Sequence, residues 1–262
     1  MSIPDYGFYI IGLVAVVLLA AQAIQHPTAF VQVTIFGVAD GALYALVALG
    51  YTMVYGIIEL INFAHGDVFA FSMYVGAAIL GLFAVNENSF SVLTLIALLI
   101  VFPVVMLLMG VLNVTIERVA YRPLRNAPRV APLITAIGMS FVLEGVMFLW
   151  HGPATQNFPN ILPHGPGFQA TISGVFVTFK DGFVVGVTIV LVTLLAIFIN
   201  RTKLGKAMRA TAQDRDAAQL MGIDINRTIA ATFFIGALLA GAGGMIWGLY
   251  FNNMYYQTGF RT

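Results

Sequence analysis

Residues 51–76 read YTMVYGIIELINFAHGDVFAFSMYVG, a long apolar stretch interrupted by polar and ionisable side chains. The apolar residues on either side extend far enough to cross a bilayer core, which takes about 20 residues. An ionisable group inside such a stretch is costly and is a functional-site hypothesis by default. The interrupting residues are Glu59, Asn62, His65 and Asp67.

The composition places the whole chain in a membrane. Of its 262 residues, 60% are hydrophobic and only 9% are charged, against about 25% charged in a soluble domain. A net charge of +1 without a basic stripe argues against a nucleic-acid-binding protein. With no cysteine and four scattered histidines, the sequence predicts neither a disulfide nor a metal site.

Seven apolar segments predict an all-α integral membrane protein, a polytopic helical domain over residues 1–262. Pro103 and several glycines predict that some spans are kinked, broken or re-entrant. Gly37 and Gly41 stand at the spacing of closely packed membrane helices. The first segment resembles a signal peptide, but no Lys or Arg precedes it, which favours a retained span. The predicted spans are residues 8–23, 30–58, 68–85, 90–112, 130–150, 182–199 and 228–251.

The basic residues predict the orientation of these spans. Ten of the 12 Lys and Arg residues lie in two loops, around residues 118–129 and 201–227. By the positive-inside rule both loops face the cytoplasm. The turn at residues 86–89 and the Pro- and Gly-rich connection of residues 150–180 then lie outside. The composition of that connection favours irregular backbone, either as a solvated loop or as a docking surface for an external partner.

Five polar residues are candidates for lining or gating a pathway through the membrane: Asp40, Asn62, His65, Asp67 and Glu144. For Asp67 an equally good interpretation is structural, as the N-cap of the third span. A channel or an ion-coupled carrier would instead use Asp40, Glu59 and Glu144 as ion sites. If the chain contained no complete pathway, it would be a membrane scaffold.

The second basic loop predicts a short helix that does not cross the membrane. Residues 205–221 are rich in good helix formers, Gly222 fits a C-terminal cap, and Asp224 fits the N-cap of the last span. The helix either docks its alanine-rich face in a protein groove or lies at the membrane interface. The pair Gly205-Lys206 lacks the other residues of a phosphate-binding loop, so any ATP hydrolysis needs another chain.

Four blocks of sequence carry a resemblance to a known family. In chain order they are YTMVYGIIELINFAHGD, ERVAYRPLR, LITAIGMS and GKAMRATAQDRDAAQLMGIDINRTIAATFFIGALLAGAGG. Together they resemble the H-type permease subunit of bacterial branched-chain amino-acid ABC importers. The resemblance covers most of the chain from Gly37 onward. Against that family, residues 8–23 form an extra N-terminal segment, and Glu59 replaces a small or apolar residue. Family members continue through further spans after the position of Thr262, so the resemblance implies that this chain lacks the family's C-terminal spans.

The resemblance implies a translocation subunit in the bacterial cytoplasmic membrane, without cofactor or covalent chemistry of its own. Its implied partners are a second homologous permease, two cytoplasmic ATPase subunits that bind the ATP, and an extracytoplasmic substrate-binding protein. A permease for urea or amides is similar in sequence and stays an alternative. The family's ATPase-coupling loop corresponds here to Gly205, Arg209, Ala210, Asp214, Ala217, Ala218, Gly222 and Ile223.

Overall fold

The computed structural model describes residues 3–59, 61–83, 92–125, 127–128, 130–172 and 174–261. Six of its helices are long and apolar enough to cross a membrane: Pro27–Ile58, Ala64–Leu82, Val92–Leu124, Val130–His151, Phe179–Arg201 and Ile225–Phe251. The third of these ends in a π-helical turn (Glu117–Tyr121) and a 3-10 turn (Arg122–Leu124), which continue the α-helix beyond Ile116. The helices are α1 (Ile3–Gln25), α2 (Pro27–Ile58), α3 (Ala64–Leu82), α4 (Val92–Ile116), α5 (Val130–His151), α6 (Phe179–Arg201), α7 (Lys203–Gln213), α8 (Arg215–Leu220), α9 (Ile225–Phe251) and α10 (Thr258–Arg261).

The first predicted span lies within α1, whose apolar part, Tyr9–Gln25, is shorter than the six candidate spans. Pro27 then begins α2, at a position where a missing backbone N–H costs nothing. Helix α1 packs along α2, and its other apolar side chains, such as Ile11 and Leu13, are exposed. The retention of this span in the mature protein stays a prediction.

Helix α9 forms the centre of the bundle, with α2, α3 and α4 packed against it. Glycines on α9 allow this close approach: a Cβ added to Gly244 would lie 2.2 Å from the carbonyl oxygen of Phe69 on α3. Small residues commonly make such contacts in membranes. An added Cβ at Gly37 or Gly41 would meet no described atom within 4 Å. Within the described chain, the packing predicted at that pair is therefore wrong.

Helices α2 and α3 are separated by a break inside the bundle. Helix α2 ends at Ile58, and Glu59 follows in the left-handed conformation with φ 55°. The ring of His65, in the first turn of α3, lies against Gly50 of α2, where an added Cβ would be 2.9 Å from it. Gly50 is about two turns, or roughly 12 Å, before the end of α2. Helix α3 therefore begins well inside the bundle, and four residues earlier than predicted.

At the opposite end of the bundle the chain forms short strands. They are β1 (Gln156–Asn157), β2 (Gln169–Ile172), β3 (Val175–Thr178) and β4 (Asn253–Met254). Strands β2 and β3 form an antiparallel hairpin, and β1 pairs with β4. The irregular backbone predicted for residues 150–180 is thus only partly correct. The predicted turn at residues 86–89 lies outside the described residues.

The chain returns into the bundle after β4. Asn252, with φ 54°, ends α9, and α10 packs against the start of α3. There Gly66 and Gly259 touch through their backbones, since a Cβ on Gly66 would lie 2.2 Å from the carbonyl oxygen of Gly259. Residues 252–261 therefore form a re-entrant segment beside α3. The sequence predicts interruptions within the spans but none at these residues.

Candidate functional site

The segment between α6 and α9 folds back against the end of α6. Thr202 caps α7, its hydroxyl oxygen accepting a hydrogen bond from the backbone N–H of Gly205 at 3.0 Å. Gly205 is buried, and a Cβ there would lie 2.3 Å from the carbonyl oxygen of Ile199. The guanidinium of Arg209 donates to that same carbonyl. Glycine at position 205 is therefore required by a backbone contact.

The predicted single helix over residues 205–221 is wrong, because it is broken at Asp214. The Asp214 side chain accepts a hydrogen bond from the N–H of Ala217 at 2.9 Å and caps α8, a local bond that competes with a continuous helix. The predicted caps at Gly222 and Asp224 are confirmed. Gly222 has φ +83°, and Asp224 accepts from the N–H of Arg227 at 3.1 Å.

The eight residues predicted to couple to an ATPase lie together in this segment, which we call the coupling segment (residues 202–224). Several of them hold its own shape: the N–H of Asp214 donates to Ala210, and that of Ile223 donates to Ala218. Their role towards an ATPase stays a prediction. The sequence does not single out Leu220 and Met221, whose side chains are 89% and 84% exposed.

Arg215 of α8 joins the coupling segment to the end of α2. Its Nε donates to the carbonyl oxygen of Ile57 at 3.2 Å, and Nη2 donates to the same oxygen.

Nearby, Arg125 donates to the buried carboxylate of Glu117 and to the side chain of Asn226. Desolvation lowers the pKa of the Arg125 guanidinium from its usual value, and the carboxylate of Glu117 opposes that shift. The residues predicted to be cytoplasmic thus meet at one end of the bundle.

A cavity of about 530 Å³ lies next to the break between α2 and α3. Its wall comprises one face of α2, the chain between the two helices, the first turn of α3 and Gly259 of α10. A groove of about 730 Å³ between α4, α6 and α9 is apolar apart from Arg118 and contains none of the predicted site residues. Within the 530 Å³ cavity, the principal side chains are Tyr44, Val47, Tyr51, Asn62 and His65.

Asn62 and His65 are the two pathway candidates that line this cavity. Asn62 is 3% exposed, and its Oδ1 accepts a hydrogen bond from the hydroxyl of Tyr121 at 2.7 Å. Its Nδ2 has no partner among the described residues. His65 is fully buried. Neither of its ring nitrogens makes a hydrogen bond of normal geometry, although the carbonyl of Val47 lies close to the ring.

The other three candidates lie outside the cavity wall. Asp67 is buried in the first turn of α3 and accepts a hydrogen bond from the hydroxyl of Ser140 on α5. The interpretation of Asp67 as an N-cap is wrong, because Phe63 precedes the helix and no side chain caps it. Glu144, one turn along α5 from Ser140, lies near Asp67, whereas Asp40 lies near Tyr250. Among the described residues, no three His, Asp or Glu side chains gather as metal ligands would.

Replacing Ser140 by alanine should destabilise the protein by about 1–3 kcal/mol, because a buried acceptor on Asp67 then loses its one donor among the described residues. Thermal unfolding of the detergent-solubilised protein measures the loss. The control is Thr115→Ala, since that hydroxyl is exposed and bonds to its own helix at Val111. Equal stability of the two variants would show that the Ser140 contact contributes nothing.

Apolar helices around a glycine-rich central helix, with a folded polar segment at the basic end, define a multi-pass helical membrane protein. Residues 33–262 match the family described as branched-chain amino acid transport system / permease component. The chain belongs to this family, and it is a multi-pass inner-membrane protein.

Several curated relatives are similar over most of the chain. The high-affinity branched-chain amino acid transport system permease protein BraD of Pseudomonas aeruginosa is 37% identical over 88% of this chain and 75% of its own. The corresponding permease protein LivH of Escherichia coli K12 is 37% identical over 88% of this chain and 74% of its own. A probable LivH of Methanocaldococcus jannaschii is 28% identical over 78% of this chain and 62% of its own. No solved structure matches the chain.

Proposed function

We propose that this chain is the translocation subunit of an ATP-driven importer for branched-chain amino acids. Its relatives are named as permeases of branched-chain amino acid transport systems. In the proposal, a second homologous permease completes the pathway, two cytoplasmic ATPase subunits bind and hydrolyse the ATP, and an extracytoplasmic binding protein delivers the substrate. The chain itself binds no cofactor and performs no covalent chemistry.

The coupling segment carries this proposal, because it contacts a membrane helix on one side and exposes large apolar side chains on the other. On one side Arg215 fixes α8 to the end of α2. On the other side Leu220 and Met221 are almost fully exposed at the end of α8. Large apolar side chains presented together at a helix end are suited to a groove on another protein. A segment with this arrangement transmits movement of a bound ATPase to the membrane helices.

Reconstitution in proteoliposomes tests the proposed function. The chain is combined with the second permease, the ATPases and the binding protein, and uptake of labelled leucine and of urea is compared with ATP or a non-hydrolysable analogue inside. We expect leucine uptake that requires ATP hydrolysis. Uptake of urea alone would support a urea permease, and leucine uptake without the ATPases would support an ion-coupled carrier.

Replacing both Leu220 and Met221 by glutamate should weaken association with the ATPases about tenfold or more, because the interface would then have to bury two carboxylates in place of apolar side chains. Co-purification of the ATPases from detergent extracts measures it. The matched control is Gln213→Glu with Gln219→Glu, which adds the same charge at exposed positions of the same segment. Undiminished co-purification with the first variant would favour a segment that lies at the membrane interface instead.

A further inference from the structure

The cavity between α2 and the start of α3 has the size of a small-molecule site. Its volume of about 530 Å³ lies within the roughly 300–1,000 Å³ that ligand pockets occupy. It lies beside the break between two membrane helices, at the depth of Gly50 on α2. Irregular backbone at that depth is tolerated where it is buried in protein or lines a cavity.

Two kinds of polar group at this cavity are suited to a carboxylate. The first is the N-terminus of α3, a helix of 19 residues that no described side chain caps, so that its first N–H groups and its dipole favour an anion. The one acidic residue of this first turn, Asp67, lies outside the cavity wall and bonds to Ser140. The second is the unpartnered Nδ2 of Asn62, a buried donor. His65 also lines the cavity and is buried, with the carbonyl of Val47 close to its ring. An unsatisfied buried donor is costly unless a ligand supplies its acceptor.

The rest of the wall is suited to the other parts of an aliphatic amino acid. Tyr44 and Tyr51 present aromatic rings, which attract an ammonium group through their π-electrons. Val47, Ala48 and Phe63 offer apolar surface. Among the described residues of this wall, none is Asp, Glu, Lys or Arg. A site without a full charge favours a ligand with no net charge, and its apolar area gives no advantage to urea.

We propose that this cavity is a transit site for a zwitterionic aliphatic amino acid, whose carboxylate lies at Asn62 and the N-terminus of α3 and whose side chain lies against α2. The inference rests on the proposed function and adds a site inside the permease where the substrate binds during transport. Gly259 of the re-entrant segment closes one side of this site.

The first test replaces Asn62 by aspartate in the full complex. The aspartate keeps an acceptor for the hydroxyl of Tyr121 but places a negative charge where the substrate carboxylate would lie. We expect ATP-dependent leucine uptake to fall about tenfold or more, with unchanged co-purification of the ATPases. Uptake equal to that of the unchanged complex would overturn the proposed position of the carboxylate.

The second test fills the cavity without touching its polar groups. Ala48→Phe places a large side chain in the cavity from an exposed position of α2, and we expect leucine uptake to fall about tenfold. The control is Val38→Phe on the same helix, at a side chain that is 53% exposed and outside the cavity wall. Equal uptake by the two variants would overturn the site.

Labelling with a leucine analogue that carries a photoreactive diazirine locates the substrate directly. In the complex held with a non-hydrolysable ATP analogue, we expect excess leucine to suppress labelling of the peptide that contains residues 44–52. If leucine uptake is intact but the label falls on other helices, the transit site is wrong and the proposed function stands. If the complete complex shows no ATP-dependent leucine uptake, the proposed function itself fails.

Discussion

Replacing Gly244 by leucine should prevent the protein from reaching its folded state. A Cβ at this position would lie 2.0 Å from the hydroxyl oxygen of Ser72 and 2.2 Å from the carbonyl oxygen of Phe69. The second contact is with backbone, so no side-chain rotation relieves it, and α3 has to move away from α9. The cost should exceed the roughly 1–3 kcal/mol of ordinary overpacking. Size-exclusion chromatography of detergent extracts should show aggregate in place of a single folded peak.

Gly186→Leu is the matched control for this prediction. It makes the same change within a membrane helix, but an added Cβ at Gly186 of α6 would meet no described atom within 4 Å. We expect this variant to elute and unfold like the unchanged protein. Equal behaviour of the two leucine variants would show that the close contact between α3 and α9 does not limit folding.

Replacing Arg215 by glutamine should separate ATP hydrolysis from transport. The guanidinium of Arg215 donates two hydrogen bonds to the carbonyl of Ile57, one residue before the end of α2. Hydrogen bonds from a charged group contribute about 1.5–3 kcal/mol, which corresponds to a roughly 10- to 100-fold change in the equilibrium of a linked movement. In proteoliposomes we therefore expect leucine transported per ATP hydrolysed to fall about 10- to 100-fold, while the ATPases stay bound.

Arg227→Gln tests whether the loss of any basic residue from the same region is enough to lower the amount of leucine transported per ATP. The Arg227 side chain is 88% exposed, and its ion pair is with the neighbouring Asp224, so we expect transport per ATP to stay unchanged. Arg215→Lys should recover part of the coupling, since an ammonium group still donates to the Ile57 carbonyl. An unchanged transport ratio for Arg215→Gln would refute a mechanical role for this contact.

The apolar runs in the sequence predict most of the helices, because a helix that crosses the bilayer needs about 20 apolar residues. Predicted spans such as residues 130–150 and 182–199 differ from α5 and α6 by at most three residues at either end. The start of α3 was predicted less well. Local sequence favours a cap at Asp67, but the Asp67 carboxylate bonds to Ser140, which lies far away in the chain. A helix boundary inside a bundle depends on tertiary contacts of this kind.

The candidate site was predicted in part. Asn62 and His65 do line a cavity, because polar residues in an apolar stretch have few other places to lie. The break in the coupling segment was within reach of the sequence, since Asp214 stands where it can cap the helix that follows. The sequence could not predict the roles of Arg215, Leu220 and Met221. The direction in which each side chain points depends on how the coupling segment folds against α2 and α6.

The contact between α3 and the glycines of α9 has a consequence for biosynthesis. Helix α3 is the least hydrophobic of the six candidate spans and carries His65 and Asp67, so it partitions from the translocon into lipid less readily than its neighbours. Its binding surface on α9 emerges from the ribosome only after three further spans have been made. Integration of the third helix therefore has to be completed late, and a mutation that weakens α9 exposes a poorly inserted segment to membrane quality-control proteases.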